Sequence, residues 1–268
     1  MKTAGELAMR NYGNHGDSYF KSDDVIDLVT ETDIEISTMF EKFAAENFSD
    51  MDYCIIDEES LDALGEDRFA EINKHEWQFV IDPVDGTLTY ALGIPMFAIS
   101  VGVLHHGKPF CGAAYAPALC ELIYGSEREA FWVRNAFTDR AQKTELKLQD
   151  SDRRALIFNM HSVVRFNDSI DVAKDSPRDF YSSVVHLMYM ATGRGKALYF
   201  VVKIWDIAGL WAIMKLLGLK YMDYRTGEVL QVLSPDKFDN DMVIKNVHIC
   251  CRPQDFDHYK NIAEEIRR

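Results

Sequence analysis

No apolar run in this chain approaches the ~20 residues that span a bilayer as a helix. The opening Met1-Lys2-Thr3-Ala4-Gly5-Glu6 also lacks the apolar centre of a secretory leader, so the expectation is a soluble, cytoplasmic protein without a membrane partner. Cysteine pairs of the CxxC kind are absent. The five cysteines (Cys54, Cys111, Cys120, Cys250, Cys251) have mostly apolar neighbours, which favours small buried hydrophobes in a reducing compartment over disulfides or metal ligands. The eight histidines show neither H-x-x-H nor H-E-x-x-H spacing, which disfavours a zinc hydrolase. No G-x-S-x-G or P-loop pattern occurs. Basic residues are few, 29 against 43 acidic for a net charge of -14, and form no run that would trace a nucleic-acid backbone. There is no internal repeat, low-complexity tract or Pro/Gly-rich linker to divide the chain into freely moving parts.

What is present is an ordinary globular composition, with 47% hydrophobic, 12% aromatic and 27% charged residues over 268 positions, enough to bury a core without staples. Ile36, Met39, Phe40 and Phe43 recur at helical spacing and predict an amphipathic helix from about Asp33 to Asn47. Tyr53-Cys54-Ile55-Ile56 and Trp77-Gln78-Phe79-Val80-Ile81 have strand length, and each ends on acidic residues. From Phe97 to about Arg134, β-type segments broken by His106-Gly107-Lys108-Pro109 and Ala116-Pro117 predict an antiparallel meander. The second half alternates. Strands are expected at Ala155 to Met160 and Ala197 to Val202, and helices at Ser183 to Thr192 and Asp206 to Leu217, each stopped by a glycine. Further strands are expected near Leu219 to Tyr224 and Met242 to Cys250, with a polar helix after Pro253. The fold class is α/β (α+β), antiparallel in the first half and mixed in the second.

The sharpest chemical signal is Ile81-Asp82-Pro83-Val84-Asp85-Gly86-Thr87, where a buried-looking strand runs into two carboxylates three residues apart. Mg²⁺ wants several oxygen ligands, and Asp82, Asp85 and the Val84 carbonyl could supply them. Pro83 stiffens the segment, and Gly86 lets backbone N–H groups approach an anion. A plain surface turn uses the same residue types. An EF-hand loop with Gly86 at its sixth position fails because Ile81 and Pro83 cannot donate side-chain oxygens. A DxDGT phosphatase motif fails because Pro83 stands where its nucleophilic Asp belongs. Upstream, Asp57-Glu58-Glu59-Ser60 ends a strand, and Thr30-Glu31-Thr32-Asp33 opens a helix; downstream, Ile204-Trp205-Asp206-Ile207-Ala208-Gly209 opens another. Helix capping alone would also account for Asp33 and Asp206.

In this order the pieces resemble the inositol monophosphatase family, Mg²⁺-dependent and lithium-sensitive, within a superfamily that also holds fructose-bisphosphatases and 3′(2′),5′-bisphosphate nucleotidases. The matching motifs are a T-x-x-D-like element, E-E-S, D-P-[IL]-D-G-T and W-D-x-A-G, and the resemblance extends from about Gly5 to the end. It implies a layered α-β-α-β-α sandwich, one catalytic unit over 1–268 with tightly packed sub-layers of about 1–150 and 151–268, and a homodimer. Glu58, Asp82, Asp85, Asp206 and the Val84 carbonyl would hold two or three Mg²⁺ ions. Asp33, Thr87 and Glu58 would serve catalysis by metal-activated water. Asp85, Gly86, Thr87, Ser182, Ser183, Phe200 and Lys21 would line the substrate.

The chain departs from the family in three places. Phe200 stands where inositol-selective members carry an acid, and Lys21 is spaced one residue more loosely from Asp33. The helix before Ala4-Gly5-Glu6 is shortened. Arg194, Lys196 and Lys203 could form a basic wall for a second phosphate, or could be solvated surface charges. The rival substrates are inositol or another sugar monophosphate, a 3′(2′),5′-bisphosphate nucleotide, fructose bisphosphate and histidinol phosphate. A catalytically silent metal- or metabolite-binding homologue is the non-enzyme alternative.

Overall fold

The structure, a computed structural model, describes residues 1–13, 18–20, 28–147, 156–167 and 177–266. Lys21 and Ala155 lie outside the described residues. Helix α1 (Lys2–Asn11) precedes a small antiparallel pair, β1 (Ser18–Phe20) and β2 (Leu28–Thr30), and then α2 (Glu31–Asn47). A seven-stranded sheet follows: β3 (Tyr53–Asp57), β4 (Trp77–Asp85), β5 (Ala98–His105), β6 (Lys108–Ala116), β7 (Glu121–Ser126), β8 (Ala130–Arg134) and β9 (Gln142–Glu145), in that spatial order. Two short helices interrupt it, α3 (Arg68–Ile72) between β3 and β4 and α4 (Thr87–Ala91) after β4. The meander from β4 to β9 is antiparallel throughout, but β3 pairs with β4 in parallel, so the first sheet is not wholly antiparallel. A parallel neighbour requires a crossover, which the stretch containing α3 provides.

The second half holds β10 (Leu156–Asn159), β11 (Val164–Phe166), β12 (Pro177–Arg178), α5 (Ser183–Ala191), β13 (Gly195–Phe200), α6 (Ile204–Leu216), β14 (Lys220–Asp223), β15 (His248–Cys251), α7 (Phe256–Asn261) and β16 (Ala263–Glu265). Its five-stranded sheet runs β12-β10-β13-β15-β14 with parallel and antiparallel pairs, while β11 and β16 pair separately. Of the strand expected at Met242 to Cys250, only His248–Cys251 forms. Val243 and Ile244 make single bridges to Lys203 and Phe238 instead.

The layers follow from which faces are apolar. Helix α6 is buried on nearly every side from Ile204 to Met214, as a helix between two sheets must be. It packs on β4 to β7 and on α5, which rests on β13. On the outer face of the seven-stranded sheet, Ala4, Ala8 and Ile36 of α1 and α2 meet Val84, Tyr90, Phe97 and Ile99. On the outer face of the five-stranded sheet, Phe256 and Tyr259 of α7 meet Tyr199, Ile249 and Cys251. The order is therefore α1/α2, sheet, α5/α6, sheet, α7: an α-β-α-β-α sandwich.

The Ala-Gly of the W-D-x-A-G motif sets how closely α6 approaches its sheet. A Cβ on Gly209 would lie 2.3 Å from the Ser100 hydroxyl oxygen, and one on Gly102 would lie 2.5 Å from the Ala208 backbone. Small residues on both partners let the helix start, and Asp206 with it, sit directly against β5. No helix among the described residues is long and apolar enough to cross a membrane.

Candidate functional site

In a regular strand residues three apart point to opposite faces, so Asp82 and Asp85 should be separated by the sheet. The strand carries them both, rather than ending before them, and its register against β5 shifts between Asp82↔Ser100 and Asp85↔Ala98. This irregularity absorbs Pro83, whose missing N–H would otherwise leave a gap in the ladder, and re-aims Asp85. As a result Asp82, Asp85 and Asp206 each offer a carboxylate oxygen within 4.8 Å of the others. Gly86 follows in the left-handed region (φ 85°) and starts α4. A Cβ there would meet the Met96 carbonyl oxygen at 2.8 Å, so turn and close packing both require glycine.

Asp206 is the third residue of α6, and its Oδ2 accepts from the Lys203 N–H at 2.7 Å. The capping role anticipated from sequence is therefore real, and it also aims the carboxylate into the cluster. Glu58 follows β3; the Glu58 N–H donates to the Ile81 carbonyl at 3.4 Å, which ties the E-E-S turn to β4. Asp57 Oδ1 accepts from the Glu59 N–H at 2.7 Å and holds the turn from within. Asp33 is fully buried as the third residue of α2. Its neighbour Thr32 is pinned by Tyr90 (3.1 Å) and Asn11 (3.0 Å), fastening α1, α2 and α4 together.

The cluster is charged beyond what its surroundings can stabilise. Burial, then the charges of Glu58, Asp85, Asp206 and Asp33, hold the Asp82 carboxyl well above the usual carboxylate range. Burial followed by the charges of Asp85 and Glu58 does the same to Asp206. Burial pushes Asp85 up to about 6 although the Ser182 hydroxyl and the Val184 N–H (2.9 Å) both donate to it. Asp82 Oδ1 is buried and has no hydrogen-bond partner among the described residues. An orphaned carboxylate oxygen among three further acids is the donor set of a hard divalent cation, and the residues fit one.

The other predicted residues divide. The Thr87 hydroxyl donates to the Val84 carbonyl at 2.9 Å, which leaves that oxygen a second lone pair. Ser182 caps α5 through Val185 N–H (3.1 Å) and bonds Asp85; the Ser183 N–H reaches Asp85 Oδ1 at 3.2 Å. Phe200 requires correction. It is 1% exposed with its ring against Tyr221 and His248, a core residue closed to a substrate, because its face of β13 packs into the central core with α5 and α6.

Two of the three residues of the basic wall are engaged by acids. Arg194 donates from both terminal nitrogens to Glu121 (3.0 and 2.5 Å) and lies over the Tyr189 ring. Lys203 instead faces the acids, its Nζ 3.5 Å from Glu58 Oε1, in a cavity of about 500 Å³ walled by Glu58, Asp62, Trp205 and Asp241. Next to Ser182, Tyr181 stands with φ 57° and is 57% exposed. A tyrosine in the left-handed region leaves no trace in a residue pattern.

The inositol monophosphatase family profile matches residues 1–264. Among curated proteins, the fructose-1,6-bisphosphatase/inositol-1-monophosphatase of Aquifex aeolicus is 30% identical over 170 residues, 60% of this chain and 62% of that protein. The matched stretch thus spans about three-fifths of that relative's length. Among solved structures, the Thermotoga maritima IMPase aligns with a TM-score of 0.72 at 21% identity, over 98% of this chain and 92% of the other. An IMPase/NADP phosphatase solved with Mg²⁺ and phosphate aligns at 0.69 and 17%, over 99% and 95%. These two show the fold. The profile match over nearly the whole length decides membership: the chain belongs to the inositol monophosphatase family.

Proposed function

We propose that this protein is a Mg²⁺-dependent phosphomonoesterase releasing phosphate from a small metabolite, an inositol or other sugar monophosphate, by direct attack of water. The observation that carries this reading is the Asp82 Oδ1, without a hydrogen-bond partner among the described residues, amid Asp85, Asp206 and Glu58, a cluster whose charge bound cations would offset. Glu58, Asp82, Asp85, Asp206 and the Val84 carbonyl would hold two or three Mg²⁺ ions, which, when bound, polarise the phosphoryl group, acidify a water and stabilise the leaving alkoxide. Asp33, whose charge bears on Asp82, would take a proton from the attacking water, and Thr87, fixed against Val84, would help orient it. The Gly86 and Thr87 N–H groups would meet the phosphoryl oxygens, and Ser182, Ser183 and Val184 keep Asp85 from turning away. Family membership supports lithium inhibition, a homodimer and a cytoplasmic setting as parts of the same reading.

A monophosphate is favoured over a bisphosphate because Arg194 is engaged by Glu121 and Lys203 by Glu58. The test is phosphate release with Mg²⁺ from inositol monophosphate, fructose bisphosphate, a 3′,5′-bisphosphate nucleotide and histidinol phosphate. Turnover on a monophosphate supports the proposal. Mg²⁺ binding with no release from any of the four would make this a silent homologue.

A further inference from the structure

Six residues before Asp82, and so roughly 20 Å away along β4, the same strand begins at a second group of metal-ligating side chains. Glu76, His105 and His106 each offer a ligand atom within 4.8 Å of the others. His105 ends β5 opposite Trp77, and His106 and Gly107 form the two-residue turn into β6. Successive strand residues normally point to opposite faces. His106 escapes that rule because its backbone is left-handed (φ 49°), as is that of Gly107 (φ 72°), which brings its ring to 4.5 Å from that of His105. The frame is fixed on each side. The His106 N–H donates to the Glu76 carbonyl at 2.8 Å, the Glu76 N–H donates to Asp52 at 3.1 Å, and the His105 ring stacks on Trp77 at 4.4 Å. His105 Nε2 lies 2.9 Å from Glu76 Oε1. Two imidazoles and one carboxylate at an exposed corner, with a further position open to solvent, suit a borderline ion of the Zn²⁺ kind rather than Mg²⁺.

We infer that Glu76, His105 and His106 form a transition-metal site, of Zn²⁺ selectivity, separate from the acidic cluster. The test titrates Zn²⁺ by calorimetry into the chelator-stripped full chain held in saturating Mg²⁺, and follows Co²⁺ by its visible absorption. The expected result is one equivalent of Zn²⁺ and a Co²⁺ spectrum with nitrogen ligation. His106→Asn, which tolerates the left-handed backbone, and His105→Phe, which keeps the stack on Trp77, should each weaken Zn²⁺ by at least about tenfold. Far-UV circular dichroism and Mg²⁺-dependent phosphate release should stay unchanged. No Zn²⁺ uptake in excess Mg²⁺, or equal uptake by a variant carrying both His105→Phe and His106→Asn, would overturn the inference.

Discussion

The two ends of β4 gather metal-ligating side chains in opposite ways. At its close, Asp82 and Asp85 are 1% and 5% exposed, and a register shift brings them to one face. At its start, Glu76 and His106 are exposed, and a left-handed turn residue does the gathering. Burial separates the consequences. Carboxylates taken from water raise one another's proton affinity and destabilise the cation-free fold, whereas solvated groups bear little of that cost. An acid cluster held at such expense indicates that something other than stability keeps it.

Removing one buried charge should break the contrast most sharply. Asp82→Asn should lower Mg²⁺-dependent phosphate release about 10³-fold, near 4 kcal/mol of barrier. The same change should raise the metal-free melting temperature, because an orphaned buried carboxylate becomes neutral. A lower metal-free melting temperature would count against the electrostatic account.

Gly86→Ala comes next, since it places a Cβ at φ 85° against the Met96 carbonyl. We expect a loss of about 2–3 kcal/mol in denaturant melts. A neutral result would mean that the turn relaxes freely.

The pH dependence sharpens the same comparison. Asp85 in the fold titrates at about 6, above its ordinary value of 3.8, and Asp82 and Asp206 are shifted the same way. A raised carboxyl favours the folded state when protonated, so its contribution is fully present below pH ~4 and is lost as pH rises through about 6. On the proposed reading, Mg²⁺ would replace those protons. Its stabilisation, read as the melting difference with and without chelator, should grow between pH 5 and 7 by about 2 kcal/mol. A difference that shrinks with pH would contradict the assignment.

Ser182→Ala should have the smallest effect. It removes the α5 cap and one bond to Asp85, and should cost about 1 kcal/mol of stability in a denaturant melt. A larger fall in activity than in stability would show that Asp85 positioning matters to turnover.

Much of this architecture was legible in the sequence because its signals are local. The apolar run into Asp82, the helix pattern after Asp33 and the glycines closing α5 and α6 each lie within one element. The acid motif was readable because β4 carries two of its members. What local pattern does not carry is strand direction and long-range pairing. The parallel β3–β4 pair depends on the crossover through α3, and the inward packing of Phe200 depends on which face β13 turns to Tyr221 and His248. The engagement of Arg194 by Glu121 spans 73 positions, and Glu76 stands 29 from His105. Those partners meet only through the fold.

The most direct test is a calorimetric titration of Mg²⁺ into metal-free protein, wild type beside Asp206→Asn. The account predicts saturable Mg²⁺ binding in the wild type and binding weakened at least about tenfold in the folded variant. Equal Mg²⁺ affinity in the two proteins would contradict it.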